Sequence, residues 1–208
     1  MRTSLTVGAA TLAAALLVYG GSAVAAAVEP GDNTNVGVDV DIPRLTTPGA
    51  LTMTVAPGRA TLAEAGSTDT VRRFTGSLPE VTVTDTRDPA QLATSSGWYV
   101  LGSASAFTSS GGASIGADHL GWSPRLVQGD GDTVSIGGDV GTALDPDTGT
   151  DAATNRGLVD KELLALGDPK TLPAGGVTST ATADLTLKVE STVAPGTYSS
   201  VITLSLFE

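Results

Sequence analysis

Apolar and polar residues alternate along much of this chain. Val36, Val38, Val40 and Ile42 share one parity, with Asp39 and Asp41 on the other. Leu51, Met53 and Val55 alternate with Thr52 and Thr54, and Val81 and Val83 with Thr82 and Thr84. The longest run spans residues 177–190. Val177, Ser179, Ala181, Ala183, Leu185, Leu187 and Val189 take one parity, and Thr178, Thr180, Thr182, Asp184, Thr186, Lys188 and Glu190 the other. A period of two puts successive side chains on opposite faces of a strand, so each run predicts a strand with one face on a core and one in water. A slip of one residue in the longest run would bury Asp184, Lys188 and Glu190 together, which fixes its register.

Further strands are expected over residues 70–76, 98–107, 120–127 and 132–137. Residues 191–196, STVAPG, carry turn punctuation, and Tyr198, Ile202, Leu204 and Leu206 share a face beyond it. The last two strands therefore read as a long hairpin. Residues 159–166, VDKELLAL, read as a short helix or as a strand leading to Leu172. Residues 129–155 are rich in acids, Gly and Thr around a short apolar patch at Val134, Ser135 and Ile136, the pattern of an exposed excursion. About eight to ten strands with turns between them and little or no helix are most economically packed as an all-β, two-layer antiparallel β-sandwich of the immunoglobulin-like or Greek-key type.

The N-terminus changes how much of the chain enters that fold. Arg2, an apolar run over 5–18 and the small residues Ala23, Val24, Ala25, Ala26 and Ala27 have the order of a secretory signal peptide. The apolar run is shorter than the ~20 residues a membrane span needs. Residues 1–27 are expected to be removed, leaving no membrane span and a single domain over 28–208, frayed over 28–35. The expected location is secreted or at the cell surface. The chain has no cysteine, which rules out disulfides, thiol nucleophiles and cysteine-ligated zinc. Its formal net charge of -11 opposes nucleic acid and anionic membranes as partners.

Candidate chemistry is sparse. His119 is the only histidine, no GxSxG elbow is present, and one histidine without cysteines does not build an ordinary zinc site. No catalytic residue is assigned, and the chain is expected not to be an enzyme. Asp145, Asp147 and Asp151 lie at a spacing that can aim carboxylates at one calcium ion, the only cofactor the sequence suggests; a solvated loop is the alternative. The EF-hand pattern fails at Gly149, Thr150 and Arg156. Trp98, Tyr99 and Trp122 are the credible aromatic binding residues, and the two tryptophans are expected more as core anchors than as a sugar platform.

Val83-Thr84-Asp85-Thr86-Arg87, then Gly97-Trp98-Tyr99-Val100 and Phe107, then Leu120-Gly121-Trp122-Ser123-Pro124, and a terminal DLTLKVESTVAPGTYSSVITLSL follow one another in order. Over residues 78–206 this resembles the WxL domain of Gram-positive surface proteins. The resemblance implies an all-β secreted domain held non-covalently at the cell wall, with peptidoglycan as partner. The family's first Trp-x-Leu stands here as Trp98-Tyr99-Val100, and the second as Leu204-Ser205-Leu206 after Tyr198, so one motif tryptophan is replaced. The functional expectation is a secreted, non-enzymatic surface protein associated with peptidoglycan. The alternative is a freely secreted binding or assembly subunit that pairs with another surface protein through an edge strand.

Overall fold

In the computed structural model the longest alternating run is one strand, and the larger sheet is assembled on its two edges. The structure describes residues 49–93, 97–146, 156–168 and 175–208, all within one compact unit, Thr46–Glu208. The strands are β1 (Leu51–Val55), β2 (Ala63–Glu64), β3 (Val71–Ser77), β4 (Val81–Asp85), β5 (Trp98–Ala104), β6 (Phe107–Ser109), β7 (Ser114–Ile115), β8 (Leu120–Gln128), β9 (Val134–Ile136), β10 (Glu162–Gly167), β11 (Val177–Glu190), β12 (Tyr198–Ser199) and β13 (Ile202–Phe207). A single 3-10 turn, Ala117–His119, precedes β8.

Strand β11 takes β8 along one edge and both β3 and β4 along the other; β2 and β1 then extend the sheet beyond β3 and β4. All these pairings are antiparallel. Strands β3 and β4 are one line broken by a bulge. Ser77 pairs with Asp184 and Val81 with Ala181, so Leu78, Pro79 and Glu80 stand opposite only Thr182 and Ala183. The extra residue falls where Pro79 has no N–H to offer a ladder. Leu78 N–H still donates to Ala183 O at 2.8 Å, and the Thr182 hydroxyl donates to Leu78 O at 2.5 Å. That bond accounts for a buried threonine on the polar parity of β11.

The second layer is the sheet β13-β5-β10-β9, continued beyond a kink by β12-β6-β7. At the kink Ser105 N–H donates to Val201 O, Val201 N–H to Ser105 Oγ, and Ser200 Oγ to Ser105 O. The two layers enclose one core of Val81, Val83, Trp98, Val100, Leu120, Trp122, Leu164, Ala183 and Leu185 with their neighbours. The architecture is the expected all-β antiparallel sandwich.

Both tryptophans are in that core, at 3% exposure for Trp98 and 1% for Trp122. Glycines make the room: a methyl at Gly167 would overlap the Trp98 indole, and one at Gly102 the Trp122 ring.

Two expectations change, and one open alternative is decided. The terminal hairpin does not form. Both edges of β11 are already occupied, so residues 191–197 cross to the other layer and β13 pairs with β5. Of the two readings of residues 159–166, the strand is the one found, as β10 over Glu162–Gly167. The excursion after β8 is partly docked, since Val140 exchanges two backbone hydrogen bonds with Trp122, and Thr142 is buried. The signal segment, residues 28–35 and the alternating residues 36–42 lie outside the described residues.

Replacing Trp98 with alanine is expected to lower stability by about 3–5 kcal/mol, read from the denaturant midpoint. An unshifted midpoint would remove Trp98 from the core.

Candidate functional site

The Asp-Thr-Arg corner at the end of β4 is built around a charge facing inward. Asp85 continues the buried parity of Val81 and Val83 and is fully buried. Two residues on, the chain returns Arg87 to it. Arg87 Nε donates to Asp85 Oδ1 at 2.9 Å and Nη2 to Oδ2 at 2.7 Å, and the Arg87 backbone N–H donates to Oδ1 at 3.1 Å. Arg87 Nη1 donates to Glu208 Oε1 at 2.7 Å, beside the end of β13. The bidentate pair therefore ties the two layers at one end. The hydrogen bonds with Asp85 push the Arg87 guanidinium above its ordinary range. This pair is structural, and Asp85 follows from parity alone.

Strands β5 and β13 are direct neighbours. In the β5–β13 ladder Val100 pairs with Leu206, Gly102 with Leu204, and Tyr99 with Phe207. Alternation sends Trp98 and Val100 into the core and Tyr99 to the outer face, so Trp98, Tyr99 and Trp122 do not form one site. Trp98 and Trp122 as binding residues are corrected to core residues; Trp122 Nε1 has no hydrogen-bond partner among the described residues. Tyr99 is 39% exposed and stacks on Phe207, with ring centroids 5.2 Å apart and planes inclined by 15°. Lys161 Nζ stands 4.9 Å from the Phe207 centroid, within cation–π range. Leu101, Leu166 and Phe207 are half-buried beside Tyr99. Phe207 was not anticipated; its parity opposite Leu204 and Leu206 was the signal.

At the other end the layers part. A cleft of about 940 Å³ opens between the inner face of the larger sheet and the β12–β13 ribbon. Met53, Phe74, Leu187 and Val189 line one wall and Tyr198 and Ile202 the other, with Arg59 and Arg72 also in the lining. The volume is at the upper end for a ligand site, and the lining is mainly apolar. Strands β1 and β13, which border it, are both sheet edges.

The remaining candidates have structural partners. Asp145 Oδ2 accepts from Thr142 N–H at 2.7 Å and Thr142 Oγ1 at 2.9 Å, and Oδ1 pairs with the Lys188 ammonium. Its carboxylate caps a turn and ties it to β11. Asp147 and Asp151 lie outside the described residues, and no group of three or more metal-ligating side chains occurs among the described ones. His119 Nδ1 lies 2.9 Å from Asp118 Oδ1 and Nε2 lies 3.6 Å from Glu190 Oε2. Burial, with Asp160 nearby, raises the Glu162 carboxyl above its usual range. Among the described residues no helix is long and apolar enough to cross a membrane.

No protein-family model matches the chain, and no curated protein does. Among solved structures, a family 123 glycoside hydrolase from Clostridium perfringens, the subject of a study of glycolipid glycan hydrolysis, is similar at 14% identity and a TM-score of 0.33. The match covers 71% of this chain and 25% of that one, so this chain spans a small part of that enzyme's length. A likeness so distant bears on neither fold nor activity.

Truncating Arg87 to alanine leaves Asp85 buried and uncompensated, at an expected cost of about 3–5 kcal/mol in chemical denaturation. Lysine at this position should recover only part of that, since an ammonium cannot make the bidentate pair. An Arg87→Ala protein as stable as wild type would exclude the clasp.

Asp145 carries a pH dependence. Burial acts to raise its carboxyl, but the Lys188 ammonium and the Thr142 hydrogen bonds outweigh it and hold it below its ordinary value of 3.8. Its contribution to stability is thus full above that value and is lost as pH falls through the lowered one. The stability gap between wild type and Asp145→Asn should be widest near neutrality and close in acid. A gap independent of pH counts against the Lys188 contact.

Proposed function

We propose that this chain is an exported, non-enzymatic cell-surface protein that associates non-covalently with the cell wall, with peptidoglycan as its partner. The observation that supports this is the outer face of the paired motif strands. There Tyr99 is exposed and stacks on Phe207, and Lys161 sets a cation over the Phe207 ring. An exposed aromatic ring suits the apolar face of a sugar ring, and an ammonium suits the carboxylates of a peptide-bearing glycan. The resemblance over residues 78–206 points to the same partner. The replacement of a motif tryptophan by Leu204 is compatible with this reading, because Leu204 packs against the core and takes no part in the outer face.

A second reading is an assembly subunit for another surface protein. The cleft favours it: its mainly apolar lining between two strand edges that are unpaired among the described residues suits a polypeptide strand better than a hydrated glycan.

Mature protein should co-sediment with purified peptidoglycan. Tyr99→Ala should weaken that association about tenfold, or about 1.4 kcal/mol, with an unchanged melting temperature. Failure of the wild-type protein to sediment would end the wall reading; equal sedimentation of both would move the contact elsewhere.

A further inference from the structure

We propose that the cleft binds a long-chain amphiphile with an anionic head, its acyl tail lying between the two layers and its carboxylate at Arg59. The inference is independent of wall association and gives the cleft a different occupant from the assembly reading. Two observations carry it. The first is apolar surface left without a partner. Met53, Phe74, Ile202 and Leu204 lie on the inward parity of their strands, yet all four are only half-buried where the layers part. Val55, on the same parity of β1, is 46% exposed. Apolar surface gathered into a cleft of about 940 Å³ marks a ligand site, and this volume admits a small molecule. The second is charge. The described residues lining the cleft include two arginines and no aspartate, glutamate or lysine, in a chain with 22 acids against 11 lysines and arginines. Arg72 follows Phe74 on the inward parity of β3, toward the open end, and its guanidinium lies 5.2 Å from the Phe74 ring centroid. Glu64 holds that guanidinium at Nε and Nη2. Arg59, from the loop between β1 and β2, has no side-chain ion pair or hydrogen bond among the described residues. It is the cation open to a bound anion, and a guanidinium takes a carboxylate in a bidentate pair.

An acyl tail fits this lining better than a peptide strand does. A strand joined to one edge turns alternate N–H and C=O groups away from it, and in an apolar cleft those groups lose water without gaining a partner. A tail has no such groups, and its affinity comes from the apolar area it covers. The head then selects the charge of the ligand. The long-range field of a chain at -11 favours cations, so a preference for an anion reports the arginines at the cleft.

Mature protein is titrated with laurate, dodecanol and dodecylammonium, each below its aggregation concentration, and followed by calorimetry and by the Met53 methyl resonance. Met53 is the only methionine after Met1 and lies on the cleft wall, so its signal reports the site directly. Laurate should bind most tightly and dodecylammonium least, with the Met53 methyl shifted by laurate. Arg59→Gln should weaken laurate about fivefold and leave dodecanol binding and the melting temperature unchanged, because Arg59 is exposed. Dodecylammonium binding as tightly as laurate, equal laurate affinity in wild type and Arg59→Gln, or an unmoved Met53 methyl would each overturn the inference. A Met53 shift caused by an alternating Val-Thr peptide and not by laurate would overturn it in favour of the assembly reading.

Discussion

One buried charge fixes the closed end of this sandwich. Asp85 sits on the inward parity of β4, where its neighbours at 81 and 83 are valines, and it is fully buried. An unpaired carboxylate there would cost several kcal/mol, so the chain must bring a cation to it. Arg87 can do so because the strand ends at once: two residues of non-strand backbone turn the guanidinium back onto the carboxylate in a bidentate pair. The same guanidinium reaches Glu208, beyond the end of β13 in the opposite layer. A requirement of local electrostatics thus becomes a clasp between layers, in a protein with no disulfide to serve that purpose.

The clasp makes the two ends unlike. Strand β11 has fourteen residues, on the order of 40 Å of extended chain, and both layers are organised along it. At its Val177 end the clasp and the Trp98 indole hold the layers together. At its Glu190 end the layers diverge and the cleft opens. Strands β5 and β13 run between these ends and divide their side chains by parity. Trp98, Val100, Leu204 and Leu206 face inward, and Tyr99 and Phe207 face out. Their stability and their surface chemistry are therefore separable.

Local alternation revealed individual strands well and their partners poorly. Strand β11 was legible to the residue because a single slip would have buried three charges. Its partners were not, because pairing depends on which edges are already filled; the terminal strands lie in different layers for that reason. Strand β10 was ambiguous because a bulge near Leu164 places Leu164 and Ala165 both in the core, and two adjacent buried residues break the period of two. The Asp85–Arg87 pair was readable in principle, since an acid on an apolar parity two residues before an arginine asks for that partner. The outer Tyr99–Phe207 stack needed the β5–β13 register, which no local pattern contains. The cleft is a property of how far two layers splay, which emerges only once the whole fold is assembled.

Charge then sets the terms on which the open end can be used. With a net charge of -11, two copies repel at long range, and so does any acidic partner. The cleft lining is mainly apolar, so the attraction it offers acts only at contact and scales with the area covered. Repulsion is screened within about 8 Å at physiological ionic strength, while the apolar term is not weakened by salt. Salt therefore favours an apolar contact at the cleft, the reverse of its effect on a contact made by opposite charges. The Lys161 side of the outer face belongs to the second kind. Contacts through the cleft and through the outer aromatic face would respond to ionic strength in opposite senses, and that difference distinguishes one from the other.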